Sequence, residues 1–500
     1  MDLLHSTWIP ARADNGVGPF RLLTYEELLC GGGHWDISLP RDDLQLAGIQ
    51  LLVCMTQVIF LPTDDAALRA YITKPLKPED FADRVTPFQE WFDLNHPTQP
   101  FMQTCGVEAK EDTPIQKLLI GLPEGNNHAF FNEVGEVKRL GPTVAAIALF
   151  NQAMNCPSFG GGFKGGLRGG APVTTLVAGR DLRGTIWRNV LTLPRVQDRF
   201  PGYQPDFTKD LPTWIQPIRE KETIYTHQIQ LARGLFWQPA HVELVQAEEE
   251  APCDVLGGHA SLVYSGFRKE KFNFTVDGLW SHPHGAQIEI LKKSVLEKKF
   301  VSFTTTAPAW TLLSEFVVPR TRNDKDIKEG YIPAGPVEQA NELFRREKLH
   351  LIVGGYRNKQ ASVLERRHEL ISLANSWVEN KDQIIRLVDF GKKAKKVLRG
   401  QLWFAAQGDK KIEMQGIGVP IHEPGEKIYY ARTEMLFHEI LDEDEHHEEK
   451  FMQKLTTICQ EIFKELTDPY AHKPELIPII ARTRRRLAKD LKELTEQAKW

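Results

Sequence analysis

Hydrophobic and polar positions change their spacing twice along the chain. The first strong signal is LAGIQLLVCMTQVIFLP, Leu46 to Pro62, apolar except for Gln50, Thr56 and Gln57. It falls short of the ~20 apolar residues a membrane span needs. SLPRDD places acids just ahead of it, where a helix dipole favours them, so the pattern predicts a buried helix. AAIALFNQAMN predicts a second helix, stopped at Pro157. Short β-rich runs follow, among them VTTLVAG (173–179), FNFTV (272–276) and FVSFTTT (300–306). Helical and strand patterns alternate without a repeated βαβ spacing, which excludes a doubly wound parallel sheet.

Near residue 360 the period becomes helical. Val363, Leu364, Leu370, Ile371, Leu373, Trp377 and Val378 fall near helical spacing, which predicts a long helix directly after GGYRNKQAS. Phe451, Leu455, Ile458, Ile462 and Leu466 predict another, and Leu476, Ile480, Leu487, Leu491 and Leu494 a further one. With segments 383–406 and 431–441, four or five helices joined by modest loops result, whose natural packing is a bundle. The expected fold class is α+β: a large mixed α/β N-terminal body over 1–361 and a C-terminal helical bundle over 362–500.

Composition narrows function without choosing it. The 500 residues are 41% hydrophobic and 26% charged, with a formal net charge of -4. This is a globular composition that does not advertise a nucleic-acid binder, although a local basic patch can hide in a neutral average. The cysteines stand singly, with no CxxC, so neither a zinc ribbon nor a disulfide framework is expected. MDLLHSTWIPARAD lacks the basic start and apolar core of a signal peptide. The expectation is a cytoplasmic protein with no membrane partner.

SFGGGFKGGLRGG (158–170) holds seven glycines in thirteen residues. Glycine adds no side-chain chemistry, so such a loop bends sharply or brings bare backbone against a partner. Gly160, Gly162 and Gly165 spell GxGxxG, but a dinucleotide site needs a strand before and a helix after, and here the order is reversed. No GK[ST] follows for a phosphate loop. Phe159 and Phe163 with Lys164 and Arg168 suit an ordered loop whose amides touch a polyanion or a base edge. His282 and His284 in SHPHG, and His446 and His447 in an acidic run, lack the HExxH spacing of helical metal ligands. A nucleotide- or metal-dependent enzyme is the competing class, resting on the GxGxxG and these histidines alone. Basic runs occur at Lys292 and Lys293, in GKKAKKVLRG (Lys392, Lys393, Lys395, Lys396) and in RTRRRLAKDLK, with Arg484 and Arg485. Each alone is ordinarily a solvated face; two in one bundle raise the case for a phosphate path.

SLPRDD, NHPTQPFMQT, FGGGFKGGLRGG, TLPR, RGLFWQPAH, GFRKEKFNFTV and GGYRNKQASVLERRH, in this order, resemble the CasA family, large subunits of the type I-E CRISPR surveillance complex Cascade. The resemblance spans WIP near the start to DPYAHKPELI near the end. It implies a non-enzymatic subunit with an α/β body and a C-terminal four-helix bundle, without cofactor. Implied partners are the other Cascade subunits, the crRNA 5′ handle, PAM-containing double-stranded DNA and the helicase-nuclease effector. On the matching positions it implies a minor-groove glycine loop at Ser158, Phe159, Gly160, Gly161 and Gly162, a lysine finger at Lys271, and a glutamine wedge at Gln360 between Lys359 and Ala361. It implies a handle-contacting loop in FFNEVGEVKRLGP, with Phe130 and Asn132. It also implies that the basic bundle residues serve the displaced strand or nuclease docking. Two departures stand out. Lys359 occupies a position where one member of the family carries asparagine, and the paired cysteines of some zinc-bearing relatives are missing, so no zinc is expected.

Overall fold

In the computed structural model, residues 1–13, 16–122, 135–292, 295–323, 329–409, 412–443 and 448–498 are described. The chain divides into two compact units. The first comprises Met1–Thr305, Pro319–Leu343 and His350–Leu370; the second comprises Thr306–Val318, Phe344–Leu349 and Ile371–Trp500.

The first unit is built around the helix Asp42–Ile59, which begins with Asp42 and Asp43 in its first turn and is buried over nearly its whole length. The polar residues that interrupt its apolar run are paired rather than solvated. Gln57 donates to the Leu191 carbonyl at 3.0 Å and accepts from the Leu191 amide at 2.6 Å. The Thr56 hydroxyl meets the Tyr25 hydroxyl at 2.7 Å. Buried polar groups satisfied in this way cost little, which is why a core helix carries them. The helix Pro142–Asn155, almost entirely buried, packs against it. Around the pair lie small sheets rather than one large one. His241–Gln246 and Thr113–Pro114 flank Tyr264–Glu270 in antiparallel pairing. Glu222–Tyr225 and Phe274–Asp277 form a parallel pair. Thr174–Val177 pairs antiparallel with Leu349–Lys359, Leu351 facing Val177 and Gly354 facing Thr174.

Two expectations fail here. FVSFTTT forms no strand beyond its first residue: Val295–Phe300 is the strand, and Ser302 and Phe303 make only isolated bridges. The run from Val363 to Leu373 is a strand, Ser362–Leu373, hydrogen-bonded to Leu349–Lys359. Its burial alternates over much of its length, with Leu364 and Leu370 exposed, so a period of two was read as a period of 3.6.

In the second unit, Lys381–Gln407, His422–Asp442, Glu448–Thr467 and Ile477–Gln497 are long helices packed around a shared apolar interior, with the short helix Leu313–Val317 beside them. Leu398 and Leu402, Phe437, Leu455 and Ile462, and Leu487 and Leu491 supply that interior. The Tyr429 hydroxyl donates to the Gly391 carbonyl at 2.8 Å, and the Phe437 ring stacks on Trp310 with centroids 3.6 Å apart. Among the described residues, no helix is long and apolar enough to cross a membrane.

Candidate nucleic-acid interface

The glycine loop leaves the helix Pro142–Asn155 and enters the strand Thr174–Val177, the reverse of the strand-then-helix context a dinucleotide needs. Its glycines serve three different ends. Gly160 and Gly162 adopt φ of +134° and +86°, conformations side chains resist. Gly165 and Gly166 lie so close to the Pro157 and Ala153 carbonyls that an added Cβ would stand 2.8 and 2.6 Å from those oxygens. Gly161 is exposed, and a Cβ there would meet nothing within 4 Å. The fold therefore demands glycine on both sides of Gly161 and leaves Gly161 itself open.

The tip is held. The Phe163 amide donates to the Gly160 carbonyl at 3.2 Å, and the Gly160 amide to the Ser158 hydroxyl at 3.3 Å. Phe159 packs edge-on against Phe163 at 5.7 Å and, tilted, against Phe267 at 5.6 Å, with the Lys269 ammonium 5.6 Å above its ring. Phe267 and Lys269 belong to the strand Tyr264–Glu270, and Lys271 follows directly at its end. Lys271 is exposed, and a Cβ on Gly162 would lie 3.2 Å from its Nζ. The loop and the lysine singled out from sequence are thus brought together.

Gln360 lies at the tip of a hairpin. Leu349–Lys359 and Ser362–Leu373 are joined by Gln360 and Ala361 alone, and Gln360 takes φ +55°, a left-handed conformation unfavourable for a residue with a Cβ. The Asn358 amide donates to the Gln360 carbonyl at 2.6 Å and fastens the turn, while Arg357 and Glu365 pair across it at 2.7 Å. Lys359 and Gln360 are exposed. The element behind Gln360 is a hairpin, correcting the expectation of a bundle helix. A Cβ on Gly170 would stand 3.8 Å from the Asn358 amide nitrogen, so the hairpin runs beside the exit of the glycine loop.

One small apolar cluster joins these parts. Ile120, Cys156, Ala171 and Tyr356 pack together with Val363, drawing on the chain ahead of the handle-loop motif, both ends of the glycine loop and both hairpin strands. Below it, the Tyr356 hydroxyl donates to Asp43 at 3.0 Å and accepts from Asn151 at 2.9 Å. Arg41 pairs with Asp43 at 2.7 Å and donates to the Ile120 carbonyl at 2.8 Å. Sequence reasoning missed Phe267, Lys269, Asn358 and Tyr356. The alternation of Phe267, Lys269 and Lys271 in GFRKEKF could have revealed that the first two share a strand face leading to the third.

Phe130, Asn132, Lys293, His446 and His447 lie outside the described residues. Lys292 pairs with Glu297 at 3.6 Å. His282 and His284 are fully buried, and burial beside Arg168 pushes His284 down to about 3 and His282 well below its usual range. No group of three or more potential metal ligands occurs among the described residues. The bundle cations are less bare than their sequence: Lys392 reaches Glu315 at 3.5 Å, and Lys395 and Arg399 share Glu426 at 2.7 and 2.8 Å. Lys393, Lys396, Arg484 and Arg485 are exposed. The two basic runs do not merge. Gln401 bonds Asp490 at 2.8 Å and Arg482 pairs with Asp409 at 3.5 Å, which sets Arg484 and Arg485 beside the end of the first helix. That is roughly ten residues, or about 15 Å, from Lys396.

The fold belongs with CRISPR-associated proteins. The family model described as CRISPR-associated protein Cse1 matches residues 2–468, and the chain belongs to that family. Thermobifida fusca Cse1 has the same fold at 16% identity, with a TM-score of 0.76 over 100% of this chain and 99% of that one. Thermus thermophilus CasA (Cse1) aligns at 17% identity with a TM-score of 0.72, over 99% of each chain. A chain of a CRISPR RNA-guided surveillance complex aligns at 16% identity with a TM-score of 0.67, over 97% of this chain and 99% of that one.

Proposed function

We propose that this chain is a non-catalytic subunit of a type I-E Cascade complex that reads the PAM in double-stranded DNA through the minor groove and starts duplex opening. The observation that carries the reading is the approach of Lys271 to Gly162 beside an open, side-chain-free tip. The minor groove is ~6 Å wide and offers acceptors plus one guanine amine. Bare backbone enters where side chains clash, and an ammonium donates to adenine N3 or thymine O2 without demanding one base. Gln360, on its fastened hairpin, is the wedge; unstacking one step costs a few kcal/mol, which other contacts offset. Guide pairing reads the remaining sequence. Phe130 and Asn132 contact the crRNA handle, and the bundle cations serve the displaced strand or the docking of the helicase-nuclease.

A randomised-PAM binding selection on the reconstituted complex tests this, run with the unaltered chain and with Lys271→Ala. The variant should bind good PAMs about 1–3 kcal/mol more weakly, the size of one good base contact, and discriminate less. Equal weakening on every sequence would make Lys271 a phosphate contact and overturn its assignment.

A further inference from the structure

Past its tip, the glycine loop forms one wall of a hollow of about 560 Å³, Lys164 to Gly170 facing Trp237, Phe274 to Val276, Gly278, Leu279 and Lys298 to Phe300, while the exposed Asp277 is not part of the lining. Its lining includes Lys164, Arg168, Lys298 and Lys299 and no acidic residue. In a chain with 66 acids against 62 lysines and arginines, an acid-free wall of four cations departs from the average. Lys298 reaches Glu289 on the neighbouring strand at 2.5 Å. Lys164 and Lys299 are exposed and have no carboxylate partner among the described residues.

Arg168 adds an independent sign. Its side chain is buried, and one terminal nitrogen makes all its bonds, to the Met154 carbonyl at 3.3 Å, to the Asn155 amide oxygen and to the Thr174 hydroxyl at 3.0 Å. Its Nε and its other terminal nitrogen have no hydrogen-bond partner among the described residues, and none of the bonded groups is an anion. A guanidinium withdrawn from water without a counter-charge is costly, and burial pulls its pKa down to about 9. These nitrogens are themselves closed to solvent, so an anion in the hollow would act on the charge through space rather than by a direct bond. There is room for one: a Cβ on exposed Gly169 would meet nothing within 4 Å.

We propose that this hollow is a phosphate-binding site, and that it holds a backbone phosphate of the duplex whose groove the Gly161–Gly162 tip enters. The choice of duplex as the source of the phosphate rests on the function proposed above. The same two segments border both places: Gly162 neighbours Lys271, and Phe274, three residues on, lines the hollow. Three residues span at most about 10 Å, and a DNA strand advances ~3.4 Å per nucleotide, so tip and hollow are within about three steps of one backbone. Lysines act there as point charges and glycine amides as donors that no Cβ screens.

The test uses Lys164→Ala/Lys299→Ala in the full chain, both positions being exposed so that folding is untouched, which a melting curve checks. Tripolyphosphate should raise the melting midpoint of the unaltered chain and leave that of the double variant unmoved. In the reconstituted complex, the slope of log affinity against log salt for PAM duplex should become shallower by about 0.9, the loss of one phosphate contact. Tripolyphosphate stabilisation lost with an unchanged slope supports the phosphate site and overturns the duplex as its source. A shallower slope in a complex that shows no PAM preference supports the hollow while the PAM reading falls. Unchanged stabilisation together with an unchanged slope overturns the proposal.

Discussion

Lys271 and Gly162, far apart in the chain, meet so closely that a Cβ on Gly162 would stand 3.2 Å from the lysine ammonium. Gly162 also holds φ +86°, whereas Gly161 beside it has open space around its Cα and no left-handed φ. The fold therefore demands glycine at 162 and makes no such demand at 161. Gly162→Ala should destabilise the chain by about 1–2 kcal/mol and displace Lys271. Gly161→Leu should leave the stability read by urea unfolding within about 0.5 kcal/mol of the unaltered chain, as an unconstrained surface change does. The same variant should abolish binding of PAM duplex by the complex. Undiminished duplex binding by Gly161→Leu would show that the groove is entered elsewhere.

The wedge role proposed for Gln360 is testable apart from binding, and its backbone supplies the control. At φ +55° a non-glycine residue is strained, so Gln360→Gly should raise stability by a few tenths to about 1 kcal/mol relative to Gln360→Ala. Both variants remove the side chain, so both should form R-loops poorly on relaxed, fully paired DNA. Negative supercoiling should rescue them partly and a target pre-melted beside the PAM more fully, because the duplex exchange is nearly balanced. Gly161→Leu should gain nothing from pre-melting, since its defect lies in approach. R-loop yields on paired and bubble targets decide the matter, and equal rescue of the Gln360 and Gly161 variants would remove the wedge from the mechanism.

Much of this was legible in the sequence, and the failures have physical causes. The helices Asp42–Ile59 and Pro142–Asn155 announced themselves because each is apolar for several turns and ends on a recognisable signal. The bundle helices kept a clear 3.6 period on one buried face. Strand Ser362–Leu373 did not, because Leu364, Leu370 and Leu373 mimic helical spacing while only some of them are buried. The pairing that makes it a strand comes from Leu349–Lys359, whose other edge is held by distant Thr174–Val177, and no local window contains that. At the site, residue identities came from resemblance, and the approach of Lys271 to Gly162 needed the fold. The carboxylates that neutralise Lys392 and Lys395 come from other elements, so a run that reads as purely basic is half paired.

The buried histidines predict an acid sensitivity. His284, held at about 3 by burial, and His282, also lowered, are neutral in the folded chain at pH values where the unfolded chain protonates them. Their contribution is complete above about pH 6.5 and is lost as pH falls, at roughly 1.4 kcal/mol per pH unit for each. Asp210 has the opposite sign: burial raises its carboxyl to about 6, so from about pH 4 to 6 the fold keeps a proton the unfolded chain releases, and stability falls as pH rises. Between pH 6.5 and 6 the histidines act without that offset. His284→Gln should flatten the dependence between pH 5 and 6.5 by about 1.4 kcal/mol per unit, read from urea midpoints at half-unit steps. An unchanged slope would mean that His284 protonates in the folded chain.

The bundle's two basic runs can be tested apart because they lie at different levels and differ in pairing. Lys395 sits against Glu426 at 2.7 Å, half-buried, with its ammonium 5.6 Å over the Tyr430 ring. Lys395→Glu sets two carboxylates against each other and should lower the melting midpoint. Lys393 and Lys396 are exposed, so Lys393→Glu/Lys396→Glu should leave melting unmoved while changing what the surface attracts. If the displaced strand follows this run, the double variant should weaken R-loops and flatten their salt dependence, each lost phosphate contact removing about 0.7 from the slope for a single strand. If the run docks the helicase-nuclease, cleavage should fall while R-loop stability and slope stay as they were. Arg484→Glu/Arg485→Glu, about 15 Å away along the bundle, should then show the complementary defect, because one surface cannot guide a strand and seat a protein at the same place. Unchanged slope and unchanged cleavage in both double variants would reduce the two runs to solvated helix faces.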